Sequence, residues 1–399
     1  MPSLSDRARA VEPSRTIAMN QRARELKAAG RDIVDLTVGE PDFRPPLAAL
    51  EAAAAAARSG ADRYTPVAGL PELRELAAAS FKEDGGLAYD PSRLMVSPGA
   101  KAALSAAIMA LVGPGDEVLI PTPAWLSYAE QVKLAGAEPK LVYCPPEAGY
   151  KLGPEALVRA LTPRTKLLVL CSPCNPSGAV YSRAELAALA AALESRPELW
   201  ILSDEVYRSI RFLAEAPSPA EFPSLYGRAA VVRGLSKSHA MTGWRIGFLA
   251  GPQALVDAAI AVQGQTLTCA AMISQLAAVA ALKTPTAELE PMLHAYARRR
   301  ELVRAGLASA PGLTLAPPDG AFYAFPRIEA LLGAPAPRGP IRGSDDLALY
   351  LLEDAGVALV PGSAFGDDGA LRLSFAASEE KLNDALARIR ASLQRLVAR

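Results

Sequence analysis

The chain has 399 residues, of which 42 are lysine or arginine and 42 are aspartate or glutamate, so its formal net charge is zero. No broad basic surface is expected from this balance, which argues against nucleic acid as a partner. A hydrophobic content of 51% excludes a disordered chain, and the two histidines, His239 and His294, are too few for a histidine-rich metal site.

The first elements of the sequence give no sign of export or membrane insertion. Residues 1–15 carry Asp6, Arg7, Arg9 and Glu12 and lack the apolar core of a secretory signal. The longest uncharged stretch, residues 258–282, is interrupted by glutamine and threonine residues that a lipid-facing helix tolerates poorly. We therefore expect a soluble, cytoplasmic protein without a membrane partner.

From about residue 46, short apolar runs alternate with alanine-rich amphipathic stretches, which is typical of a parallel sheet with crossover helices. The runs predict seven strands, at residues 93–96, 117–121, 140–143, 166–171, 199–203, 229–234 and 247–250. The predicted fold class is α/β, with a large domain over residues 46–290 built on a mostly parallel seven-stranded sheet flanked by helices.

The sequence changes character after Pro291. An arginine-rich helix is followed by short predicted strands at residues 321–325 and 371–375, with a loop rich in proline and glycine between residues 333 and 343. These features predict a smaller α+β domain over residues 291–399. We expect residues 1–45 to form an N-terminal arm that belongs with it.

Ligands of such a sheet bind beyond the carboxyl ends of the strands, so the residues that follow each apolar run are the candidates for a site. These residues include Lys101, Asn175, Asp204, Lys237 and, further on, Arg245. No Gly-x-Gly-x-x-Gly or P-loop pattern is present among them.

Taken singly, the candidates have simpler interpretations. Lys237 could be a buried amine of lowered pKa or a surface lysine that opens a helix, and Asp204 could bind a cationic ring nitrogen or cap a helix. The start of a helix at Ala100 is an anion site of a kind that every helix shares. Cys171 and Cys174 form a Cys-x-x-Cys without a second pair, which favours buried thiols over a zinc or redox site.

Taken together, these residues resemble the class I aminotransferases of the fold-type I enzymes that use pyridoxal 5'-phosphate (PLP), and specifically the bacterial aspartate/prephenate aminotransferase branch. The resemblance covers nearly the whole chain. It is carried by residues 38–43, 64–66 with 69–74, 172–178, 203–207, 236–247 and 372–374. The part from Lys237 to Arg245, within Ser-Lys-Ser-His-Ala-Met-Thr-Gly-Trp-Arg-Ile-Gly at residues 236–247, is the most specific.

The resemblance implies roles for the residues around the cofactor ring. Lys237 would hold PLP as a Schiff base and then move a proton, and Asp204 would keep the ring nitrogen protonated. Asn175 and Tyr207 would donate hydrogen bonds to the ring's phenolic oxygen, and Trp125 would stack on the ring. Lys237, Asp204 and Tyr207 are the implied catalytic residues.

The resemblance also implies how the phosphate and the substrate are held. Ser236, Arg245 and the backbone N–H groups of Ala100 and Lys101 would bind the phosphate. Tyr64 of the partner subunit would reach the phosphate as well, which implies a homodimer with shared active sites. The implied substrate contacts are Gly39, Trp125, Asn175 and Arg372, of which Arg372 would bind the α-carboxylate of the amino acid or 2-oxo acid through its guanidinium fork.

The sequence departs from the family pattern at two positions that bear on the substrate. Glu12 stands where members of this branch that act on acidic substrates often have a lysine, and His239 stands where an aromatic residue is usual. We expect a broad or neutral amino donor from the reversed charge at Glu12, although Lys101 could still serve an acidic side chain.

The predicted reaction is the ping-pong transfer of an amino group from an L-amino acid (aspartate-like, aromatic or broadly neutral) to a 2-oxo acid such as 2-oxoglutarate. Two alternatives share the scaffold. One is a PLP-dependent lyase of the carbon-sulfur or cyclopropane-carboxylate type, and the other is a non-catalytic sensing module, although we expect no room for the DNA-binding head of such a regulator.

Overall fold

The structure is a computed structural model that describes residues 4–12 and 15–398. The N-terminal part consists of two helices and a short strand. These elements are α1 (Asp6–Ala10), α2 (Arg15–Ala28) and β1 (Val34–Asp35). Ser5 caps α1 by accepting a hydrogen bond from the backbone N–H of Ala8, which satisfies one of the free donors of the first turn.

A seven-stranded sheet forms the centre of the fold. Its strands are β2 (Leu94–Ser97), β3 (Glu117–Thr122), β4 (Glu138–Tyr143), β5 (Thr165–Cys171), β6 (Trp200–Asp204), β7 (Ala229–Gly234) and β8 (Gly247–Ala250). The order across the sheet is β2-β8-β7-β6-β5-β3-β4, and β8 alone runs antiparallel to its neighbours β2 and β7. The predicted α/β fold with a mostly parallel seven-stranded sheet is therefore confirmed.

Each of these strands lies within two residues of its predicted bounds. The largest difference is at β4, which begins at Glu138 rather than at residue 140. This strand lies at the edge of the sheet and is partly exposed, and an edge strand tolerates a proline such as Pro139 because one side of its backbone needs no partner. The apolar run that predicted β4 therefore starts at residue 140, although the pairing of β4 with β3 already starts at Glu138.

Helices cover both faces of this sheet. They are α3 (Leu47–Arg58), α4 (Pro71–Glu83), α5 (Ala100–Leu111), α6 (Ser127–Ala135), α7 (Pro154–Ala160), α8 (Arg183–Ala192), α9 (Pro223–Tyr226), α10 (Leu235–Ser238), α11 (Gln253–Thr266) and α12 (Met272–Leu282). Alanine favours a helix intrinsically, and it lets helices approach each other closely, as α3 and α12 do. A capping box of Ser182 and Glu185 opens α8.

The C-terminal elements follow Glu290. They are α13 (Glu290–Ala308), β9 (Tyr323–Ala324), β10 (Pro335–Ala336), β11 (Gly339–Pro340), α14 (Ser344–Tyr350), β12 (Val357–Ala358), β13 (Val360–Pro361), β14 (Leu371–Ser374) and α15 (Glu379–Val397). Strands β13, β14 and β9 form an antiparallel sheet, and β1 pairs in parallel with β12. The arginine-rich helix and the strand at 371–375 are present, and the strand predicted at 321–325 is limited to two residues.

The core consists of three large apolar clusters. Along β5, Leu168 and Leu170 belong to the cluster on one face of the sheet, while Leu167 and Val169 belong to the cluster on the other. This alternation follows from the two-residue period of a strand and shows that the sheet is buried on both faces. The third cluster gathers apolar residues of β1 with those of α13 and α15. The predicted domain boundaries at residues 45 and 290 stay a prediction.

Within residues 4–12 and 15–398, no helix is both long enough and apolar enough to cross a membrane.

Candidate active site

A cleft of about 580 Å³ lies at the carboxyl edge of the parallel strands. Its walls include all but one of the residues that the sequence assigned to a site: Gly39, Ala100, Lys101, Trp125, Asn175, Asp204, Tyr207, Ser236, Lys237, Arg245 and Arg372. The exception is Tyr64. The side chains come from the ends of neighbouring strands because β5, β6 and β7 run in parallel and end at the same edge.

Lys237 lies in the helical turn α10, directly after β7. Its Nζ donates a hydrogen bond of 2.5 Å to the backbone carbonyl of Gly39. Burial lowers the pKa of the Lys237 amine to about 8, and the positive charges of Arg372 and Arg245 act in the same direction, whereas the Glu40 carboxylate opposes them. An amine with this pKa is partly neutral near physiological pH and can act as a nucleophile or as a base.

Asp204 is the last residue of β6 and is 3% exposed. The Tyr128 hydroxyl donates to its Oδ2 at 2.6 Å and the Val206 backbone N–H donates to its Oδ1 at 3.2 Å. Burial raises the pKa of the Asp204 carboxyl to about 6 despite these two donors. Among the ion pairs of the described residues none includes Asp204, so this buried carboxylate has room for a cationic partner.

The start of α5 forms one end of the cleft. Gly99 precedes the helix with φ 91°, and a Cβ at this position would collide with the Arg245 guanidinium. The free N–H groups of the first helical turn therefore lie beside a cation, which is a combination that binds phosphate. Arg245 itself adopts φ 55° and donates from Nη1 to the Thr242 carbonyl at 2.9 Å, while Ser236 lies in α10 on the same cleft.

Arg372 projects from β14 and is 4% exposed. It donates from Nη1 to Asn175 Oδ1 at 3.1 Å and from Nη2 to the Thr37 carbonyl at 2.6 Å, and its buried Nε has no hydrogen-bond partner. Burial lowers the pKa of this guanidinium. A buried cation held only by neutral acceptors, with a free N–H in its fork, suits a carboxylate ligand.

Aromatic side chains form the rest of the wall. Trp125 stands edge-on to Tyr128, with ring centroids 5.4 Å apart, and the Lys101 ammonium lies 4.6 Å from the Trp125 ring centroid. The Tyr207 hydroxyl shares a hydrogen bond of 2.9 Å with the hydroxyl of Tyr323.

Tyr64 lies away from this cleft and has 85% of its surface exposed. It lines a separate surface depression with Cys269 and Ile273. A single chain therefore does not bring Tyr64 to the other predicted residues.

The residues that set this sequence apart lie outside the innermost cleft. Glu12 lines an adjoining cleft of about 520 Å³, whose other residues include Lys101 and Trp125, and its backbone N–H donates to Glu130 Oε2 at 2.8 Å. His239 is half-buried beside Ser238, with Nδ1 2.8 Å from the serine hydroxyl, and burial lowers the pKa of its imidazole to about 4.

The two cysteines of the Cys-x-x-Cys lie at and behind the wall of the cleft. Cys171 and Cys174 are free thiols, and no cluster of metal-ligating side chains occurs in the part of the chain that the structure describes. Cys171 lines the cleft beside Asp204, and Cys174 is buried behind it.

Sequence reasoning missed the two tyrosines that contact the predicted residues. Tyr128 holds Asp204, and Tyr323 contacts Tyr207 and leaves no space for a side chain at Gly39. Tyr128 follows the singled-out Trp125 by three residues, in the first turn of α6, and its backbone N–H donates to the Trp125 carbonyl at 3.2 Å. The short spacing from Trp125 is the one sequence signal that could have pointed to it. Nothing in the local sequence distinguishes Tyr323 from an ordinary core residue of a strand.

The donor set suits PLP. Asp204 is a buried carboxylate without a cationic partner, Lys237 is an amine of lowered pKa, and the start of α5 with Arg245 suits a phosphate. Fold and cleft together define a PLP-dependent enzyme of fold type I.

The comparisons with known proteins identify the family within this class. The family described as aminotransferase class I and II matches residues 31–389. An aspartate/prephenate aminotransferase of Cereibacter sphaeroides is 44% identical over 98% of each chain. The solved aspartate aminotransferase of Rhizobium meliloti superposes with a TM-score of 0.96 at 41% identity, covering 99% of this chain and 100% of that one, and the Thermus thermophilus aspartate aminotransferase with maleate superposes with a TM-score of 0.92, also at 41% identity, covering 98% and 100%.

The chain belongs to the class I and II aminotransferase family and is a PLP-dependent aminotransferase of amino acids and 2-oxo acids. The comparisons do not favour the lyase or the sensing module that share this scaffold.

Proposed function

We propose that Lys237, Asp204 and Arg372 divide the work of transamination among themselves. The single observation that carries this proposal is that a buried amine, a buried carboxylate and a buried guanidinium line one cleft. When bound, PLP supplies a carbonyl for the amine and a ring that accepts the electron pair released at the substrate Cα. With the cofactor bound, Lys237 Nζ would be the group that accepts the substrate Cα proton and donates it back.

Asp204 would keep the ring nitrogen of the bound cofactor protonated, because a carboxylate buried among apolar groups is stabilised by a cation. Tyr128 orients this carboxylate through its hydrogen bond of 2.6 Å. Asn175 and Tyr207 would hold the phenolic oxygen as donors, and Trp125 would pack on the ring. The Asn175 amide is oriented for this, since its oxygen already accepts from Arg372 and its NH₂ remains a donor.

Ser236, Arg245 and the backbone N–H groups of Ala100 and Lys101 would hold the phosphate, where a guanidinium and a helix start act together. Arg372 binds the α-carboxylate of the substrate as a fork, with the Gly39 N–H as a second donor. The burial of Arg372 excludes water from that contact and strengthens it.

The amino donor that we propose is aspartate or a related amino acid with a second carboxylate, with neutral donors accepted less well. Several relatives of 41–44% identity are named aspartate or aspartate/prephenate aminotransferases. Two cations outside the reaction centre, Lys101 and Arg24, line the cleft and suit a distal carboxylate. Glu12 acts against such a substrate from the adjoining cleft, so its charge tunes the preference for the acidic donor.

We further propose a cytoplasmic homodimer in which Tyr64 completes the phosphate site of the partner subunit. Tyr64 is 85% exposed in the single chain, which is expected of a large aromatic side chain that becomes covered when a partner subunit binds. Sedimentation at micromolar concentration tests the dimer, and Tyr64→Phe would weaken cofactor retention without changing the sedimentation of the protein.

The proposed division into domains follows the sequence. Residues 46–290 would form the cofactor domain, and residues 1–45 and 291–399 the smaller domain.

The experiment that tests the reaction is a half-reaction followed by visible absorbance. The cofactor-loaded protein is mixed with one amino acid at a time, without any 2-oxo acid, and the oxo acid formed is measured. Loss of the visible band with stoichiometric oxo acid, reversed by 2-oxoglutarate, is expected for aspartate first and for aromatic and aliphatic donors more slowly.

Lys237→Ala is the matched variant, and we expect at least about a 10⁴-fold loss of the half-reaction because it removes the amine that we propose to move the proton. Release of free ammonia together with pyruvate, in place of the 2-oxo acid that corresponds to the donor, would point to a lyase. A band that persists with every donor would contradict the proposed roles.

A further inference from the structure

A cluster of buried charges lies directly behind the predicted catalytic residues. Glu205 follows Asp204 and is 2% exposed, and Arg233 of β7 is 8% exposed. Successive residues of an extended chain point to opposite faces. Asp204 accordingly contacts Tyr128 on one face of the sheet. On the other face, the guanidinium carbon of Arg233, the partner of Glu205, lies 4.2 Å from the ring centroid of Phe81.

Glu205 is held from several directions. Its Oε2 accepts from Arg233 Nε at 3.1 Å and lies 3.0 Å from Arg233 Nη2. The same oxygen lies 3.4 Å from Arg208 Nη1, and Oε1 accepts from the Ser203 hydroxyl at 3.1 Å. The Glu205 backbone N–H donates to the Val232 carbonyl at 2.8 Å, which extends the pairing of β6 with β7 by one residue beyond Asp204.

This arrangement joins the two strands that end in the reacting residues. Asp204 is paired in register with Val232, and Arg233 follows directly on β7, four residues before Lys237. The ion pair of Glu205 with Arg233 therefore connects the residue after Asp204 to the strand that leads to Lys237. A displacement of one strand end against the other would break this buried pair.

Burial of ion pairs contributes little net stability, because desolvation offsets the attraction and an apolar pair of equal volume is often as stable. What a buried ion pair adds is orientation, since its hydrogen bonds are satisfied in only one arrangement. Arg208 has further carboxylate partners in Glu221 and Asp84, at 3.2 and 3.3 Å, whereas Glu205 is the carboxylate that Arg233 contacts among the described residues.

We propose that Glu205 is a positioning residue, which through its ion pair with Arg233 holds the Asp204 carboxylate and the Lys237 amine at the separation that transamination requires. This inference rests on the proposed roles of Asp204 and Lys237.

The test compares three variants as holoenzymes. Glu205→Gln removes the charge and leaves Arg233 unpaired, and the double variant Glu205→Gln/Arg233→Met removes both charges, so that no buried guanidinium is left without a partner. Glu221→Gln is the matched control, because it also removes a carboxylate from Arg208 but lies on a separate segment from Asp204. The charged groups that face Lys237, namely Glu40, Asp204, Arg245 and Arg372, are unchanged in all three.

Three quantities are measured for each protein: the pH midpoint of the bound cofactor's visible absorbance, kcat and KM separately, and the thermal unfolding midpoint of the cofactor-free protein. Glu205→Gln should unfold at lower temperature, and the double variant should recover most of that loss. Both should lower kcat about tenfold, with KM within about twofold, because the reacting groups are misplaced by a fraction of an ångström. The absorbance midpoint should also shift by about half a pH unit, and part of this shift comes from the lost Glu205 charge, which itself raises the pKa of Asp204. Glu221→Gln should keep the wild-type midpoint and kcat.

A double variant with the kcat of the wild type would overturn the inference whatever its absorbance midpoint, since the pair would then serve stability and local charge alone. Equal shifts in Glu221→Gln would overturn it as well. If Glu205→Gln does not fold, the double variant still decides between the two results. A wild-type protein without a visible band or transamination would instead contradict the proposed function, and the inference with it.

Discussion

Two buried charges of the cleft, Asp204 and Arg372, are built in opposite ways. Asp204 ends a strand of the seven-stranded sheet and is held by a hydroxyl and a backbone N–H. Arg372 lies within a strand of the three-stranded sheet and is held by a backbone carbonyl and an amide oxygen. Their hydrogen-bond partners within the described part of the chain are neutral groups, so each retains a charge with which it can bind a ligand of opposite sign.

The difference between them lies in how firmly each charge is kept. A guanidinium stays protonated at any physiological pH even though burial lowers its pKa, so Arg372 attracts a carboxylate without help. Burial raises the pKa of Asp204 to about 6, so its charge depends on pH and on its ligand. Arg372 is therefore charged and ready to bind a substrate carboxylate at any physiological pH. The charge on Asp204, in contrast, is stabilised only when a cation such as the protonated ring nitrogen is bound beside it.

Of the changes that test this comparison, Asp204→Asn is expected to have the largest effect on catalysis. An amide cannot hold the ring nitrogen protonated, and we expect kcat to fall by about 10³-fold while KM changes little. Steady-state kinetics with aspartate and 2-oxoglutarate measure this, with the exposed Asp257→Asn on α11 as the control. A kcat within about threefold of the wild type would show that Asp204 only caps the turn that follows β6.

Arg372→Lys should affect binding rather than turnover. A lysine keeps the charge but loses the fork, so KM for the amino donor should rise about 100-fold with a smaller change in kcat. An amine without an α-carboxylate provides the internal control, since its slow reaction should be the same in both proteins. An equal loss for both kinds of substrate would mean that Arg372 supports the fold instead of binding the carboxylate.

The pH dependence of stability sharpens the comparison further. Because the pKa of Asp204 is raised in the folded state, its favourable contribution is present below the unfolded value near 3.8 and is lost as the pH rises through about 6. In cofactor-free protein, Asp204→Asn should therefore raise the unfolding midpoint by about 2–5 °C at pH 7.5, and the difference should disappear between pH 6 and 4. Scanning calorimetry at several pH values gives the curve, and a difference that does not vary with pH would contradict it.

The smallest effect is expected from Tyr128→Phe. This change removes one donor from the Asp204 carboxylate and costs about 1 kcal/mol, which corresponds to about a fivefold lower kcat. It should also raise the pKa of Asp204, because the hydrogen bond favours the ionised form. The acid side of the kcat profile against pH should move to higher pH, and an unchanged profile would show that the Val206 N–H alone orients the carboxylate.

The Asp204 half of the site could be predicted from the sequence, and the Arg372 half only in part. Buried parallel strands appear as continuous apolar runs, so the ends that carry Asn175, Asp204 and Lys237 were located within a residue or two. Strand alternation placed Arg372 opposite its leucine neighbours, but its burial depends on Thr37 and Asn175, which lie far away in the sequence. Local patterns contain no information on such contacts.

Two other features lay beyond what residue patterns can give. Tyr323 has the surroundings of a core residue, and its contact with Tyr207 arises only when β9 is brought over the edge of the large sheet. The position of Glu12 in a cleft beside the reaction centre depends on its backbone contact with Glu130, which is 118 residues away. The expectation that Glu12 weakens an acidic donor therefore stays a prediction, now with a defined location.

Because β8 runs antiparallel to β7, the segment that joins these two strands begins and ends at the same edge of the sheet. Residues 235–246 leave the sheet at the end of β7 and return to it at the start of β8, where Gly234 pairs with Gly247 at the same edge. Ser236, Lys237 and Arg245 thus belong to one loop whose two ends are fixed next to each other. An insertion or deletion within this loop cannot be absorbed at a distant surface, so it would move the lysine relative to the arginine, whereas loops at the opposite edge of the sheet are free to vary in length.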